Sequence, residues 1–294
     1  MNISAFISYL QFEKRVSANT VVSYESDLIQ FNDFLALNYQ IDDVKEINHL
    51  IIRSWIIELM EHQISPRSVN RKISSLKSFF KFLMREQQIE KNPMTKVVSP
   101  KTSKRLPEFV DKEGMDVLFD EKFFEKDYEG IRDQLILEIF YATGMRLSEL
   151  VNIKISDIDF SRSLVKVLGK RNKTRLIPFS NRLQKLINCY LEERKKITVD
   201  NETDILFLTI KGKKIYQKLV YRIVNLYLRG ITTIDKKSPH VLRHTFATHM
   251  LNNGADLNAI KELLGHVNLS ATQVYTHNTI EKLTKVYKQA HPKA

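Results

Sequence analysis

A single cysteine, Cys189, is all the thiol chemistry in this chain of 294 residues. One thiol cannot close an intrachain disulfide, so a secreted disulfide scaffold and a cysteine-based metal site are excluded, and a reducing cytoplasm is the expected compartment. Glycine and proline are scarce, at 8 and 7 residues, which rules out collagen-like and Gly/Pro-rich disordered classes. Long apolar runs are missing too: the richest, Leu135 to Ala142, is broken by Glu138 and too short for a bilayer. The opening MNISAFISYLQFEKR has no positive region ahead of its apolar residues and no small-residue cleavage site, so it does not read as a signal peptide. Acidic residues fall short of basic ones, 34 against 46, leaving a formal charge of +12. With 43% hydrophobic residues, the chain reads as a soluble globular protein of roughly two domains. Its excess of positive charge calls for a polyanion, with nucleic acid ahead of a membrane surface or mere solubility.

The first hundred residues carry helical periodicity. Val21, Tyr24, Leu28, Phe31 and Leu35 form one apolar face behind the polar start Ser17-Ala-Asn-Thr20. Ile47 to His62 repeats the pattern with Leu50, Ile51, Trp55, Leu59 and Met60. Ser65 and Pro66 then supply an N-cap and N1 proline for a helix with Val69, Ile73, Leu76, Phe80 and Leu83 inward. With the short amphipathic segment Ile3 to Phe12, these make a four-helix module in which each helix needs the others to cover its stripe. Charge within it is uneven. Residues 1–64 hold 4 cations against 9 carboxylates, whereas Ser65 to Arg85 holds Arg67, Arg71, Lys72, Lys77, Lys81 and Arg85 with no acid. Such a face is either solvated or turned to an anion, and the uncompensated repulsion along one helix favours the anion.

VVSPKTSKRLP, basic, with two prolines and no periodicity, reads as an inter-domain linker at 97–108. Beyond it the sequence predicts a helix from Glu129 to Thr143 ended by Gly144, and a basic β-hairpin with strands Leu164 to Leu168 and Thr174 to Phe179. Helices resume over Leu183 to Lys195, Val220 to Arg229, Pro239 to Asn253, Leu257 to Leu264 and Thr279 to Ala290. The fold class is therefore mainly α: an N-terminal four-helix domain, then an α+β domain with a small basic antiparallel sheet.

Four stretches of this second half combine cations or acid-base residues with features that fix them. In ATGMRLSEL, Arg146 sits in the turn after a helix ended by Gly144. Between Ser161 and Arg175 the hairpin carries six cations, Arg162, Lys166, Lys170, Arg171, Lys173 and Arg175, with no carboxylate. In SPHVLRHTFATHMLNNG, Ser238 caps, Pro239 takes N1, and His240 and Arg243 share one face of the first turns, where free N–H groups already favour an anion. A metal reading of His240, His244 and His249 lacks both the HExxH glutamate and a third ligand at a usual spacing. In LLGHVNLSATQVYTH, Gly265 ends a helix, His266 follows at once, and Tyr275 lies nine residues on.

In this order the four stretches, with VLGKRNKTRLIP as the second, resemble the motif set of the tyrosine site-specific recombinases of the phage integrase family, and most closely the Xer-type branch that resolves chromosome dimers. The resemblance covers nearly the whole chain, down to the terminal HPKA. It implies a core-binding domain at 1–96, the linker at 97–108, and a catalytic domain at 109–294 whose C-terminal helix 279–290 docks in trans on a neighbour. Carried over position by position, it implies Tyr275 as nucleophile, Arg146 and Arg243 as the arginine pair, Lys170 as the hairpin lysine, and His240 and His266 completing the site. Arg171 stands where glycine is common and Lys293 where arginine is common.

The chemistry suits those residues. Two guanidiniums stabilise the charge that a pentavalent phosphorus concentrates on its non-bridging oxygens. A phenol needs a base to attack at neutral pH, for which His240 is the better placed, leaving His266 as a donor to the phosphate. Lys170 suits protonation of the departing 5′-oxygen. A 3′-phosphotyrosyl intermediate keeps the ester energy, so no cofactor, metal or ATP is expected. The partners implied are double-stranded DNA with a specific site, and a homo- or hetero-tetramer upon it that can include a second recombinase and a DNA translocase. Duplex contacts are expected from Arg67, Arg71, Lys72, Lys77, Arg171, Lys173 and Arg175. Integration of a mobile element shares the chemistry, as does a type IB topoisomerase, and a non-catalytic DNA-binding protein would share the fold.

Overall fold

The computed structural model describes residues 2–102, 108–120, 123–169, 173–197, 203–265 and 277–294. The chain divides into two compact units, Met1–Arg105 and Leu106–Ala294.

Four helices build the first unit: α1 (Ile3–Ser8), which runs into a wider π-type turn at Tyr9–Glu13, α2 (Ala18–Tyr39), α3 (His49–Glu61) and α4 (Pro66–Arg85). Their starts are fixed by side chains that satisfy the free N–H groups of the first turn: Ser17 accepts from Thr20, Asn48 from Leu50 and Ile51, and Ser65 from Ser68 ahead of Pro66. Phe6, Leu28, Phe31, Trp55, Ile73, Phe79 and Phe80 meet in the core. Fully buried among them, the Asp27 carboxylate accepts hydrogen bonds from Arg71 Nη2 (2.8 Å), Lys72 Nζ (2.9 Å) and Ser75 Oγ (2.8 Å), joining α2 to α4. This corrects the expectation for Lys72, which is buried and not open to a duplex. It belongs to the inward stripe Val69, Lys72, Ile73 and Leu76, where a charge stays only by pairing with another. Arg71 shares Asp27 but keeps half its side chain exposed, beside exposed Arg67, Lys77 and Lys81 on the outer face of α4. The expected linker starts as part of this unit, because Asn70 Nδ2 donates to the Pro100 carbonyl at 2.9 Å.

The second unit is assembled around α6 (Tyr128–Thr143), which follows the short α5 (Lys112–Leu118). Leu135, Ile136, Leu137 and Phe140 have no exposed surface, so α6 is covered on all sides instead of presenting one apolar stripe. A four-residue helix α7 (Leu147–Leu150) leads to β1 (Ile158–Asp159), β2 (Leu164–Leu168) and β3 (Thr174–Pro178). They form one antiparallel sheet in that order, with Val165 opposite Ile177 and Val167 opposite Arg175. The sheet thus has the expected hairpin and a third strand too short to show in the sequence. Then come α8 (Asn181–Lys195), α9 (Gln217–Arg229), α10 (Pro239–Asn252), α11 (Leu257–Leu264) and α12 (His277–Ala290).

α12 packs on its own unit. Leu283, Tyr287 and Ala290 join the core, and Asn253 Nδ2 donates to the Ala290 carbonyl at 2.8 Å. The buried His291 ring follows. Its Nε2 lies 3.1 Å from the Tyr141 carbonyl while its Nδ1 accepts from the Lys293 N–H. That pattern requires the neutral ring with its proton on Nε2, and burial does push the imidazole down to about 4.

Candidate active site

Three chain segments far apart in sequence deliver three arginines to one place. Arg146 is set by the end of α6. Gly144 closes that helix at φ +58°, and a Cβ there would lie 2.5 Å from Phe246 Cδ1 and 2.7 Å from Leu264 Cδ2, so only glycine lets α10 and α11 approach this closely. The chain then turns, and Glu149 Oε2 accepts from the Arg146 backbone N–H at 2.7 Å as α7 begins. The same carboxylate accepts from Arg146 Nη1 at 2.8 Å through Oε1.

Arg243 comes from α10. Ser238 occupies the N-cap position with Pro239 next, but its side chain makes no capping hydrogen bond, so the expected cap is one of position alone. Arg243 Nη1 donates to the Gly144 carbonyl at 2.6 Å and Nη2 to the Leu264 carbonyl at 2.8 Å. Burial, reinforced by the charges of Arg146 and Arg175, pushes its guanidinium down to about 10, which still leaves it cationic at neutral pH.

Arg175 comes from β3 and overturns the expectation of a duplex contact. It is 4% exposed and doubly bonded to Glu149, Nη1 to Oε1 at 3.1 Å and Nη2 to Oε2 at 2.8 Å, while Nε donates to the Leu263 carbonyl at 2.7 Å. The physical reason is strand parity. Arg175 lies opposite Val167 and two residues from Ile177, both buried, so it points into the protein. Burial alone would raise the Glu149 carboxyl, but its bonds to Arg175 and Arg146 hold it below the ordinary glutamate range. Three consecutive carbonyls at the end of α11 each receive one guanidinium: Leu263 from Arg175, Leu264 from Arg243 and Gly265, at 3.3 Å, from Arg146. A helix C-terminus is the favourable end for cations. Among the described residues three guanidiniums meet one carboxylate, a net charge of +2. Arg146 remains its most open member, with 23% of its side chain exposed.

His240 sits in the first turn of α10, exposed and one helical turn from Arg243. Desolvation first, then the charges of Arg243, His244 and Arg146, lower its pKa below the usual histidine value. It is therefore neutral at pH 7 and able to accept a proton. His249 plays another part: it is buried and bonded through Nδ1 to Tyr141 Oη at 2.9 Å. Among the described residues no group of three His, Cys, Asp or Glu side chains is placed to hold a metal ion.

Of the residues named from the sequence, the structure gathers Arg146, Arg243 and His240, and adds Arg175 in a different role. Glu149 was missed, although its place three residues after Arg146 on a helix start is a recognisable signal. Lys173 is exposed on the hairpin. Lys170, Arg171, His266 and Tyr275 lie outside the described residues.

Known proteins resemble the chain over its full length. A model for the phage integrase family matches residues 109–282, and one for the phage integrase N-terminal SAM-like domain matches residues 3–87. A tyrosine recombinase XerC from Staphylococcus aureus strain N315 is 43% identical over 291 residues, covering 99% of this chain and 96% of its own. One from Chlorobaculum tepidum is 36% identical over 317 residues, covering 99% of this chain and 94% of its own. Among solved structures, the XerH site-specific recombinase bound to a palindromic difH substrate aligns with a TM-score of 0.73 at 20% identity, over 99% of this chain and 81% of that one. The Tn1549 transposon integrase with transposon right-end DNA aligns with a TM-score of 0.74 at 19% identity, over 97% and 99%.

Proposed function

Because this chain belongs to the phage integrase family and is a tyrosine recombinase of the Xer type, we propose that it resolves chromosome dimers in the cytoplasm by cutting and rejoining two copies of one DNA site. The observation that carries this reading is the cluster of Arg146, Arg175 and Arg243 around Glu149, with a net charge of +2 among the described residues. Such a concentration of cations favours an entering anion, and a scissile phosphate is one.

In this reading the phosphate sits against Arg146 and Arg243, whose guanidiniums are already oriented by backbone carbonyls and so need no reorganisation as charge builds on the non-bridging oxygens. The Tyr275 hydroxyl loses its proton to His240 as its oxygen bonds to phosphorus. The bond from phosphorus to the 5′-oxygen breaks, and that oxygen takes a proton from Lys170. The 3′-phosphate is left on Tyr275, and a 5′-hydroxyl from the partner duplex reverses the steps. The first unit, with exposed Arg67, Arg71 and Lys77 on α4, grips the duplex, and protomers assemble on the paired sites as a tetramer. No helix of the described residues is long and apolar enough to cross a membrane.

Incubating the protein with two labelled duplexes that share the site, without nucleotide and with a metal chelator, is expected to give recombinant strands. Relaxation of supercoiled DNA with no exchanged strands would instead indicate topoisomerase action, and stable complexes without cleavage would indicate a DNA-binding protein.

The histidine supplies a pH test. A base must be neutral to act, so cleavage falls as pH drops through the His240 pKa. Because desolvation and the neighbouring cations lower that pKa, the acid limb of single-turnover cleavage is expected below the ordinary value of about 6.5. Arg146→Ala, which removes one of those cations, is expected to move the limb upward. A limb unmoved by that change would take His240 out of the role.

A further inference from the structure

Arg175 resembles a surface cation of a basic hairpin in sequence and is nothing of the kind in the structure. It joins three elements at once: β3, on which it sits; α7, through both oxygens of Glu149; and the C-terminus of α11, through the Leu263 carbonyl. Two further chain positions rest against it. Gly265, at φ +67°, leaves room for the guanidinium, since a Cβ there would lie 3.2 Å from Arg175 Nη1 and 3.3 Å from its Cδ. The Gly169 backbone passes over the pair, its Cβ direction lying 3.6 Å from both Arg175 Nη1 and Glu149 Oε1. These glycines immediately precede Lys170 and His266 in sequence.

The structure assigns Arg175 as a positioning residue for phosphate activation: through Glu149 it fixes the Arg146 guanidinium in the geometry that receives the scissile phosphate. The assignment rests on the recombinase reading above. Its logic is that of a shared anchor. Glu149 bonds Arg146 through both a side-chain nitrogen and the backbone N–H, and so sets the direction in which that partly exposed guanidinium points. A carboxylate facing Arg146 alone could rotate; one that also takes both terminal nitrogens of Arg175 cannot. Arg175 also neutralises a carboxylate that would otherwise repel the phosphate. Lysine cannot replace it, because one ammonium on a flexible stem does not reach both Glu149 oxygens and the Leu263 carbonyl in a fixed plane.

The test is a mutant cycle with Arg146, read as single-turnover cleavage of a nicked duplex carrying the site mapped with the wild-type protein. Misplacing a catalytic group by about 1 Å can cost on the order of 100-fold, so Arg175→Gln is expected to slow cleavage about 100-fold, with duplex affinity unchanged within about twofold because the side chain does not face solvent. If it acts through Arg146, the double variant Arg175→Gln/Arg146→Ala cleaves no more slowly than Arg146→Ala alone. Losses that multiply in the double variant, or Arg175→Gln cleaving at the wild-type rate, would overturn the assignment. Should Arg175→Gln fail to fold, Arg175→Lys, which retains the charge, carries the same cycle with the same criterion. A wild-type protein that forms no covalent adduct on any duplex would overturn the recombinase reading itself, an outcome distinct from either failure of the cycle.

Discussion

Tyr275→Phe is expected to abolish strand exchange while leaving site-specific binding intact. Loss of an enzyme's nucleophile costs on the order of 10⁴-fold or more, and here no other group is proposed to form the covalent bond. The hydroxyl is one oxygen among the chain's 11 tyrosines, and several of the others are unsuited by their surroundings. Burial pushes Tyr287, Tyr190 and Tyr141 above the usual phenol range, so each resists the ionisation that attack requires. Gel-shift affinity equal to wild type, with no recombinant product and no protein-linked DNA, is the expected pair of results. Product from Tyr275→Phe would mean that another nucleophile acts.

Arg243→Ala is expected to lower cleavage by about 10²–10³-fold, the range for removing a preorganised donor from a developing oxyanion. The substitution also strips partners from the buried Gly144 and Leu264 carbonyls, which destabilises the fold. Arg243→Lys separates the two effects. It retains a cation but cannot hold two carbonyls and a phosphate in one plane, so its cleavage is expected to stay well below wild type while its melting temperature recovers part of the loss. Full activity in Arg243→Lys would mean that charge alone, without the planar fork, supplies what the site needs.

Much of the architecture was legible because it follows from period and punctuation. The β2 strand and α11 have the bounds their patterns predicted, since Gly265 at φ +67° is a chemically specific stop and alternation marks the hairpin. β1, two residues long, and the seven-residue α5 carry too few periods to be seen. The errors in the site share one cause. Lys72 and Arg175 were read by charge and neighbourhood, whereas each lies on an inward repeat, one of helical spacing and one of strand parity. Their partners, Asp27 and Glu149, sit 45 and 26 residues away. Pairing across that distance is a property of packing, invisible to spacing along the chain. Arg146 and Arg243 were named on local features, a turn after Gly144 and a helix start, although the carbonyls that hold Arg243 sit 99 and 21 residues away.

The central claim is that DNA is cut by covalent transfer to one tyrosine. A duplex nicked beside the crossover point, so that the released fragment diffuses away, traps that intermediate on the wild-type protein, and protease digestion followed by mass spectrometry locates the modified residue. The expected result is a nucleotide joined through its 3′-phosphate to Tyr275. A 5′-linked adduct, an adduct on a different residue, or cleavage that leaves no DNA attached to protein would contradict it.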